Sequence, residues 1–580
     1  MKKHYETHVE DTDKLISVAG PELDYKSWYE QYRKLMEEQA QRKYGLYTPT
    51  SEGDEDDFPS IPGMIARYSA SGLTNEQMKE NPVWVNKTGN GHDLQMKNFL
   101  WGEMSGVGGY VQNFNYFKNN ATVDKVRIDE QSSNSVKVTI LATAINNAIY
   151  IPKKIYQFNK SYFIKISSEG YNEGDLSLSF YAPSTSGATT VKVPLNPNGI
   201  TEIPAIKEDD FLAVYLNVGG KVGSITIEQL PLYPGALVFD GVDDYGTCDN
   251  FPILTKEKGY TVVALRQYLV DKSAAYLTAN GDSIPNTSFI FEGNDYKDTW
   301  NFGGVSTIRA SRILATQTSK QYDSVKLKIG TNAEGSNLLQ VSKWSKSYSN
   351  VAIWELVFLD HDATEEELTK IKDYFVKTYP WLFFDQAWTV TGKTNEDKDR
   401  ATIANITGNG NDLVLSNFGF IEGSGYNKEG EYAGYLVTDG VDDKITSSIF
   451  EMGNDWTVIG DWKLINTGKN DNAGIVKFDS IVIYNYNPIL INIKNGRNNL
   501  IPDQNTVNAI CSDGRIYSKD WKESIYNEET ESTSKNFLTI GYSGNRYTKI
   551  AFKNLAIYPT VLSKEDCIKA YKYLQTLKAK

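Results

Sequence analysis

A ten-residue motif that occurs twice limits what this chain can fold into. Gly235-Ala236-Leu237-Val238-Phe239-Asp240-Gly241-Val242-Asp243-Asp244 returns as Gly434-Tyr435-Leu436-Val437-Thr438-Asp439-Gly440-Val441-Asp442-Asp443. Each copy is an apolar run of strand character that ends in Asp-Gly, a pair that readily supplies positive φ for a tight turn. Acids follow where a chain re-enters solvent, so each copy reads as a hairpin. A motif written twice predicts two related domains.

Other signatures recur in the same order. Thr88-Gly89-Asn90-Gly91-His92-Asp93-Leu94 is answered by Thr407-Gly408-Asn409-Gly410-Asn411-Asp412-Leu413, and Gly72-Leu73-Thr74-Asn75 by Gly392-Lys393-Thr394-Asn395. Downstream, Leu327-Lys328-Ile329-Gly330 is matched with Leu538-Thr539-Ile540-Gly541, and Val351-Ala352-Ile353-Trp354 with Leu555-Ala556-Ile557-Tyr558. Each copy closes with one helix, capped by Thr364 or Ser563 and acidic in its first turn. Apolar spacing at Leu368, Ile371, Tyr374 and Phe375 fits packing on a sheet.

Spacing separates the copies. Gly89 stands 152 positions before Gly241, whereas Gly408 stands only 32 before Gly440. The surplus is large enough for an inserted domain, which is best tolerated at an exposed loop. The expected division is an arm and acidic linker at 1–61, a first repeat at 62–110 plus 233–380, an insert at 111–232, and a second repeat at 383–580. The insert reads as all-β through Ser161–Ile166, Leu176–Phe180, Thr190–Val193 and Ser224–Ile227, with Gly219-Gly220 as a hairpin turn. A small antiparallel sandwich is expected.

The arm carries one amphipathic helix from Asp24 to about Tyr44, with Trp28, Tyr32, Leu35 and Met36 on its stripe and Gly45 as a stop. One helix cannot enclose a core, so the stripe is expected to dock on the domains behind it or on another protein. The start, Met1 to His8, leads into polar sequence rather than the apolar core of a signal peptide. No apolar run approaches a bilayer span, the richest, Val351–Leu359, being interrupted by Glu355. A net charge of −13 without a basic stripe argues against nucleic acid and against an anionic membrane surface. Cys248, Cys511 and Cys567 show no paired spacing and indicate no disulfide framework, and Cys567 reads as a small buried hydrophobe.

The ordered set Thr-Gly-Asn-Gly-x-Asp-Leu, Phe-Asp-Gly-Val-Asp-Asp, Ile-Gly and a closing strand plus helix resembles the concanavalin A-like, laminin-G-type jelly-roll family. The resemblance covers both repeats and leaves the arm and insert outside. It implies a mainly β protein: two jelly-roll sandwiches, the first interrupted by an inserted β-sandwich, plus a helical arm. It also implies glycan or protein ligands at edge loops or on the concave sheet. The tandem joined to a signal-less acidic arm is similar in organisation to virion proteins of tailed bacteriophages, the crAss-like group especially. That likeness implies a fibre or decoration protein in the virion, anchored to other virion proteins through Trp28, Tyr32, Leu35 and Met36, homo-oligomeric, and able to touch surface or mucus glycans.

Some jelly rolls of this class hydrolyse glycosides with carboxylates on one strand as Glu-x-Asp-x-x-Glu. That motif is missing; Glu365–Glu367 begin a helix and Asp54–Asp57 sit in a linker, so neither holds two carboxylates across a sugar. Four histidines form no metal-ligand spacing. The expectation is therefore no enzyme, with a bacterial glycan-binding adhesin and, more remotely, a glycoside hydrolase as alternatives. Candidate ligand-binding residues are Asn90, His92, Asp243, Asp244, Asn409, Asn411, Asp442 and Asp443. The aspartates could ligate calcium as in some laminin-G relatives, or could bond their own backbone at a turn, a reading that needs no ion. Aromatics favour strands and fill sandwich cores, so their abundance picks out no binding platform.

Overall fold

The computed structural model describes residues 57–579 except 159, 182–190, 207–212, 255–258, 271, 280–288, 295–296, 303–304, 310–313, 319–336, 345, 408–409, 466–473, 479–480, 485–488, 494–496, 502–506, 519–520, 526–537 and 544–545. Trp28, Tyr32, Leu35, Met36 and Asn409 lie outside the described residues, as does Leu327–Gly330. The unit Ile61–Lys580 is mainly β. No helix among the described residues is long and apolar enough to cross a membrane.

The first repeat is built around the strand Asn350–Leu359, nine of whose ten residues are fully buried. Thr261–Tyr268 pairs with it along one side, while Met64–Ser69 and Leu237–Asp240 share the other side end to end. Such a strand reads as a continuous apolar run because both its faces are covered. A second, eight-stranded sheet contains Val83–Trp84, Leu94–Lys97, Tyr245–Cys248, Leu339–Val341 and Lys272–Ala279 in that spatial order, continued by Phe289–Asn294, Lys297–Phe302 and Val305–Arg309. Trp84, Leu94, Met96 and Val341 from this sheet meet Tyr68, Phe239, Val262 and Phe358 from the other in one core.

The second repeat has the same strand order. Ile550–Tyr558 is flanked by Thr457–Leu464 on one side and by Gln386–Thr389 and Leu436–Val437 on the other. Its opposite sheet runs Thr402–Ile403, Leu413–Ser416, Lys444–Thr446, Thr539–Ile540 and Gly474–Phe478, then Ile481–Tyr484, Ile489–Ile493 and Arg497–Ile501. The aromatics are core material, as their β preference implies: Trp84, Trp354, Trp388, Trp456 and Trp462 are among the largest fully buried side chains.

Two readings of the repeats need correction. Val238 pairs with Ala352 and Val437 with Ala551, so the counterpart of Val351 is Ile550, not Leu555. Strands apolar on both faces offer no alternation to fix the register by eye. Likewise, Leu538–Ile540 corresponds in strand order to Leu339–Val341, and the positive φ of Gly541 is met by Ser342 at φ 64.

Residues 118–229 form two five-stranded antiparallel sheets of their own. One runs Val191–Pro194, Ser177–Tyr181, Ala213–Asn217, Asn147–Pro152 and Lys118–Asn119; the other runs Ile200–Ile203, Tyr162–Glu169, Gly223–Gln229, Ser135–Ile140 and Val126–Gln131. They enclose a core that includes Phe114, Val138, Ile151, Ile164, Phe180 and Leu216. Gly219-Gly220 is not a hairpin turn, because the strands it joins, Ala213–Asn217 and Gly223–Gln229, belong to different sheets. Both ends of the segment lie together: Leu232 N–H donates to Gly109 O (2.9 Å) and Tyr233 N–H to Gly108 O (2.8 Å).

The helices follow their caps. Thr364 accepts from Glu367 N–H while the Glu367 side chain accepts from Thr364 N–H, a capping box that starts Glu365–Thr378. Ser563 caps Lys564–Gln575. That last helix touches three bodies: Tyr573 lies 6.5 Å from Trp354 of the first repeat, Tyr571 lies 5.9 Å edge-on from Phe163 of the 118–229 sandwich, and Gln575 donates to Asp461 of the second repeat at 3.1 Å. A short helix at Asn75–Glu80, capped by Thr74, went unforeseen.

Candidate functional site

The repeated Asp-Gly segment is an arch rather than a hairpin. Leu237–Asp240 lies in one sheet and Tyr245–Cys248 in the other, so the turn carries the chain across the edge of the sandwich. Gly241 has φ +79°, and a Cβ there would lie 2.8 Å from Asn350 Cβ; Gly440 repeats this with φ +77° against Lys549. Only glycine fits such a bend without strain.

The acids build the arch. Asp240 Oδ1 accepts Val242 N–H (2.7 Å) and Asp243 N–H (3.4 Å), while the buried Asp244 accepts Asp240 N–H (3.1 Å) and the Ser105 hydroxyl (3.0 Å). In the second repeat Asp439 Oδ1 accepts Val441 N–H (2.7 Å) and Asp442 N–H (3.2 Å), and Asp443 accepts Asp439 N–H (2.8 Å). Burial pushes the Asp244 carboxyl up to about 7 and that of Asp443 up to about 6, against the pull of the amides that bond them.

Asp240, Asp243 and Asp244 can bring one oxygen each within 4.8 Å of one another, as can Asp439, Asp442 and Asp443. This spacing suits a hard cation in principle. The oxygens of Asp240 and Asp244 are already committed to turn amides and a hydroxyl, which is the self-bonded arrangement that asks for no ion. Asp243 and Asp442 are exposed, beside Val242 and Val441, each 71% exposed.

A further repeated signature completes this edge. Asn98 donates to Asp243 O and Asn417 to Asp442 O, both at 3.0 Å, and both asparagines have φ 69. Ser105 Oγ also accepts Leu100 N–H, and Ser424 Oγ accepts Gly419 N–H, each at 2.9 Å. Asn75 clamps Val107 N–H (2.7 Å) as Asn395 clamps Tyr426 N–H (2.8 Å). The sequence carries this as Asn98-Phe99-x-Trp101-x-Glu103-x-Ser105-Gly106 against Asn417-Phe418-x-Phe420-x-Glu422-x-Ser424-Gly425. Sequence reasoning missed it. Leu100 and Ile421 stand in these loops and are 71% and 65% exposed.

The Thr-Gly-Asn-Gly loop does not join that edge. Leu94–Lys97 leads from the loop to Asn98, and Lys97 pairs with Tyr245, so the loop and the acidic arch occupy opposite ends of the same strand. Within the loop, Asn86 N–H donates to Asp93 (2.8 Å) as Asn405 N–H does to Asp412 (2.8 Å). The Asn90 amide donates to Met64 O at 3.2 Å. His92, at φ 65, gives its carbonyl to the Tyr68 hydroxyl; Asn411, at φ 62, gives its carbonyl to Trp388 Nε1 (2.9 Å) and accepts the Ser448 hydroxyl at 2.7 Å. These residues lace the loop to the strand beside it.

All three cysteines are free and buried. Cys511, ending one strand, and Cys567, in the last helix, hydrogen-bond each other, and the Cys567 S–H lowers the Cys511 pKa. Nothing in their spacing announces this meeting. Glu367, from the acidic cluster at a helix start, is held by the Thr364 cap and by His361 at 3.3 Å.

No family model matches this chain, and no curated protein matches it. Among solved structures it is similar to Trypanosoma rangeli sialidase in complex with sialic acid, at 8% identity and a TM-score of 0.25, over 80% of this chain and 97% of that one. It is also similar to the binding domain of Botulinum neurotoxin DC in complex with rat synaptotagmin II, at 8% identity and a TM-score of 0.21, over 58% of this chain and 88% of that one. A third is the N-terminal CBM22 tandem domain from Paenibacillus barcinonensis Xyn10C, at 10% identity and a TM-score of 0.15, over 44% of this chain and 97% of that one. Likeness this low carries no argument.

Proposed function

We propose that this protein is a non-enzymatic, glycan-binding structural component of a bacteriophage virion, of fibre or decoration type. Each repeat is read as a concanavalin A-like jelly roll, with residues 111–232 as a domain inserted in the first. The arm, through Trp28, Tyr32, Leu35 and Met36, anchors the molecule to other virion proteins, and copies associate as a homo-oligomer. One observation carries the binding reading: both repeats present the same sandwich edge, an exposed valine and an exposed acid above a buried carboxylate that accepts a turn amide. A twice-built tip suits multivalent attachment, in which weak contacts multiply. Carboxylates tied to backbone amides do not suit acid–base chemistry on a sugar. The virion assignment is supported by the sequence organisation.

The test is a glycan array probed with the full chain and with Val242→Asp/Val441→Asp, alongside purification of assemblies carrying Trp28→Asp/Leu35→Asp. Glycan retention weakened by the first variant, and lost co-purification with the second, is expected. A chain that retains no glycan sinks the binding reading, and normal assembly of the arm variant sinks the anchoring one.

A further inference from the structure

The two faces of the 118–229 sandwich differ. The sheet containing Tyr162–Glu169 turns its outer face to the last helix: Phe163 meets Tyr571, Glu228 stands near Lys572, Lys165 near Glu565, and Glu202 near Asp461. That face is occupied. The opposite sheet turns its outer face away from this contact, and its pattern is unusual for a chain of net charge −13.

Strand register places side chains there in one row. Tyr215 pairs with Ser179 on one side and Tyr150 on the other; Ser179 pairs onward with Lys192, and Tyr150 with Lys118. The row across five strands is Lys192, Ser179, Tyr215, Tyr150, Lys118. The neighbouring residues in sequence, Phe180, Val214 and Ile151, point into the core, so alternation sends this row outward. The Tyr150 and Tyr215 rings lie 5.7 Å apart, inclined by 33°, and Tyr181 stands edge-on to Tyr215 at 6.0 Å. Tyr181 is 42% exposed. It pairs across the ladder with Ala213. Beside the rings the Ser179 hydroxyl is buried, at 4% exposure, without a hydrogen-bond partner. A buried polar group left unpaired in a native fold calls for an explanation.

The strands Val191–Pro194, Ser177–Tyr181, Ala213–Asn217, Asn147–Pro152 and Lys118–Asn119 contain no Asp or Glu. Lys118 and Lys192, both exposed, close the two ends of the row.

We propose that this tyrosine row is a binding platform for an acidic glycan, its sugar faces stacked on Tyr150, Tyr215 and Tyr181 and its carboxylates held by Lys118 and Lys192. This rests on the glycan-binding reading above and places a further site, of stated ligand chemistry, on the 118–229 sandwich. Tyrosine rings offer apolar faces with a polar tip, which suits a ligand with one hydrophobic and several hydroxylated sides. A single-stranded nucleic acid would also stack on aromatic rings. Its phosphate at every nucleotide asks for a denser basic groove than two lysines on an acidic protein.

The experiment measures binding of the full chain to an array of uronic-acid- and sialic-acid-containing glycans, their neutral counterparts and oligo(dT). Tyr150→Ala/Tyr215→Ala should weaken binding of acidic glycans roughly tenfold or more, the loss of about 1.4 kcal/mol or more. Tyr150→Phe/Tyr215→Phe should retain it, and Lys118→Gln/Lys192→Gln should weaken the acidic ligands while leaving neutral ones unchanged. Thermal unfolding of each variant checks that the sandwich persists. If acidic glycans bind and the alanine variant binds them equally, the platform is refuted while glycan binding stands. If no glycan binds at all, both fall; if oligo(dT) alone binds and the alanine variant loses it, the ligand class is wrong.

Discussion

In the first repeat, Arg67 Nε and Nη2 meet the two carboxylate oxygens of Glu355 at 3.1 and 3.2 Å, and the Tyr379 hydroxyl adds a bond of 2.8 Å. Both partners are buried, with side-chain exposures of 4% and 0%. The second repeat lacks this pair. Ser69 pairs with Glu355 as Thr389 pairs with Asn554, so Ala387 stands in place of Arg67 and Asn554 in place of Glu355. Arg67→Ala therefore strands a carboxylate in a dry sheet, and removing one partner of a buried ion pair costs about 3–5 kcal/mol. For a folding unit of this size each kcal/mol lowers Tm by roughly 2–4 °C, so a fall on the order of 6–20 °C is expected. Arg67→Ala/Glu355→Asn installs the solution found in the other repeat, and it should recover more than half of that loss. Calorimetry at several pH values is the assay. Burial holds the Glu355 carboxyl above its ordinary range, with Arg67 pulling it down. Stability tied to a raised carboxyl is fully present below the unfolded value, about 4.3, and lost as pH rises through the folded value. Without Arg67 that folded value climbs further, so the deficit of Arg67→Ala should be small near pH 5 and large at pH 8. An equal deficit at both, or a double variant as unstable as the single one, refutes the reasoning.

Asp244, pushed up to about 7 by burial, gives up stability as pH rises through that value; Asp244→Asn should therefore lose less Tm than the native chain between pH 5 and pH 8, and an unchanged difference contradicts this. Deleting 111–232 and joining Tyr110 to Tyr233 by a short Gly-Ser linker should leave the first repeat folded, because Tyr233 N–H, which the deletion keeps, already donates to Gly108 O at 2.8 Å. The loss of the edge-on pair of Phe163 with Tyr571 should lower stability by about 0.5–1.5 kcal/mol beyond the lost burial, and a product found only as aggregate would count against the insertion reading. Incubation with laminarin, agarose, mixed-linkage glucans and capsular polysaccharide should release no reducing ends, and steady release abolished by one Asp→Ala or Glu→Ala change would overturn the non-enzymatic reading.

Local chemistry was the legible part. The mainly β character, the Thr364 and Ser563 caps and the turn role of the aspartates follow from residues a few positions apart. What failed was non-local. Asp-Gly after a strand looks the same whether the next strand pairs with its predecessor or crosses to another sheet, so two arches and the Gly219-Gly220 link read as hairpins. Val351–Leu359 and Ile550–Tyr558 are covered on both faces, which erases the alternation that would have aligned Val351 with Ile550. The Asn98 and Ser105 signature hid because its residues act through backbone groups across an edge. Cys511 and Cys567 hid because a strand end and a helix far apart in sequence were brought together. The tyrosine row hid because one residue comes from each of three strands, so no local window holds two of them.

The helix Lys564–Gln575 also has a consequence in time. It follows in chain order every surface it covers: Trp354, Phe163 and the sheet that carries Asp461. As the nascent protein leaves the ribosome, the Trp354 and Phe163 faces are complete but bare until these residues emerge, and bare apolar sheet faces are what chaperones hold and what aggregates form from. A released chain truncated just before Lys564 would therefore display sandwiches with bare faces that adhere to one another, whereas the chain that carries the helix covers them.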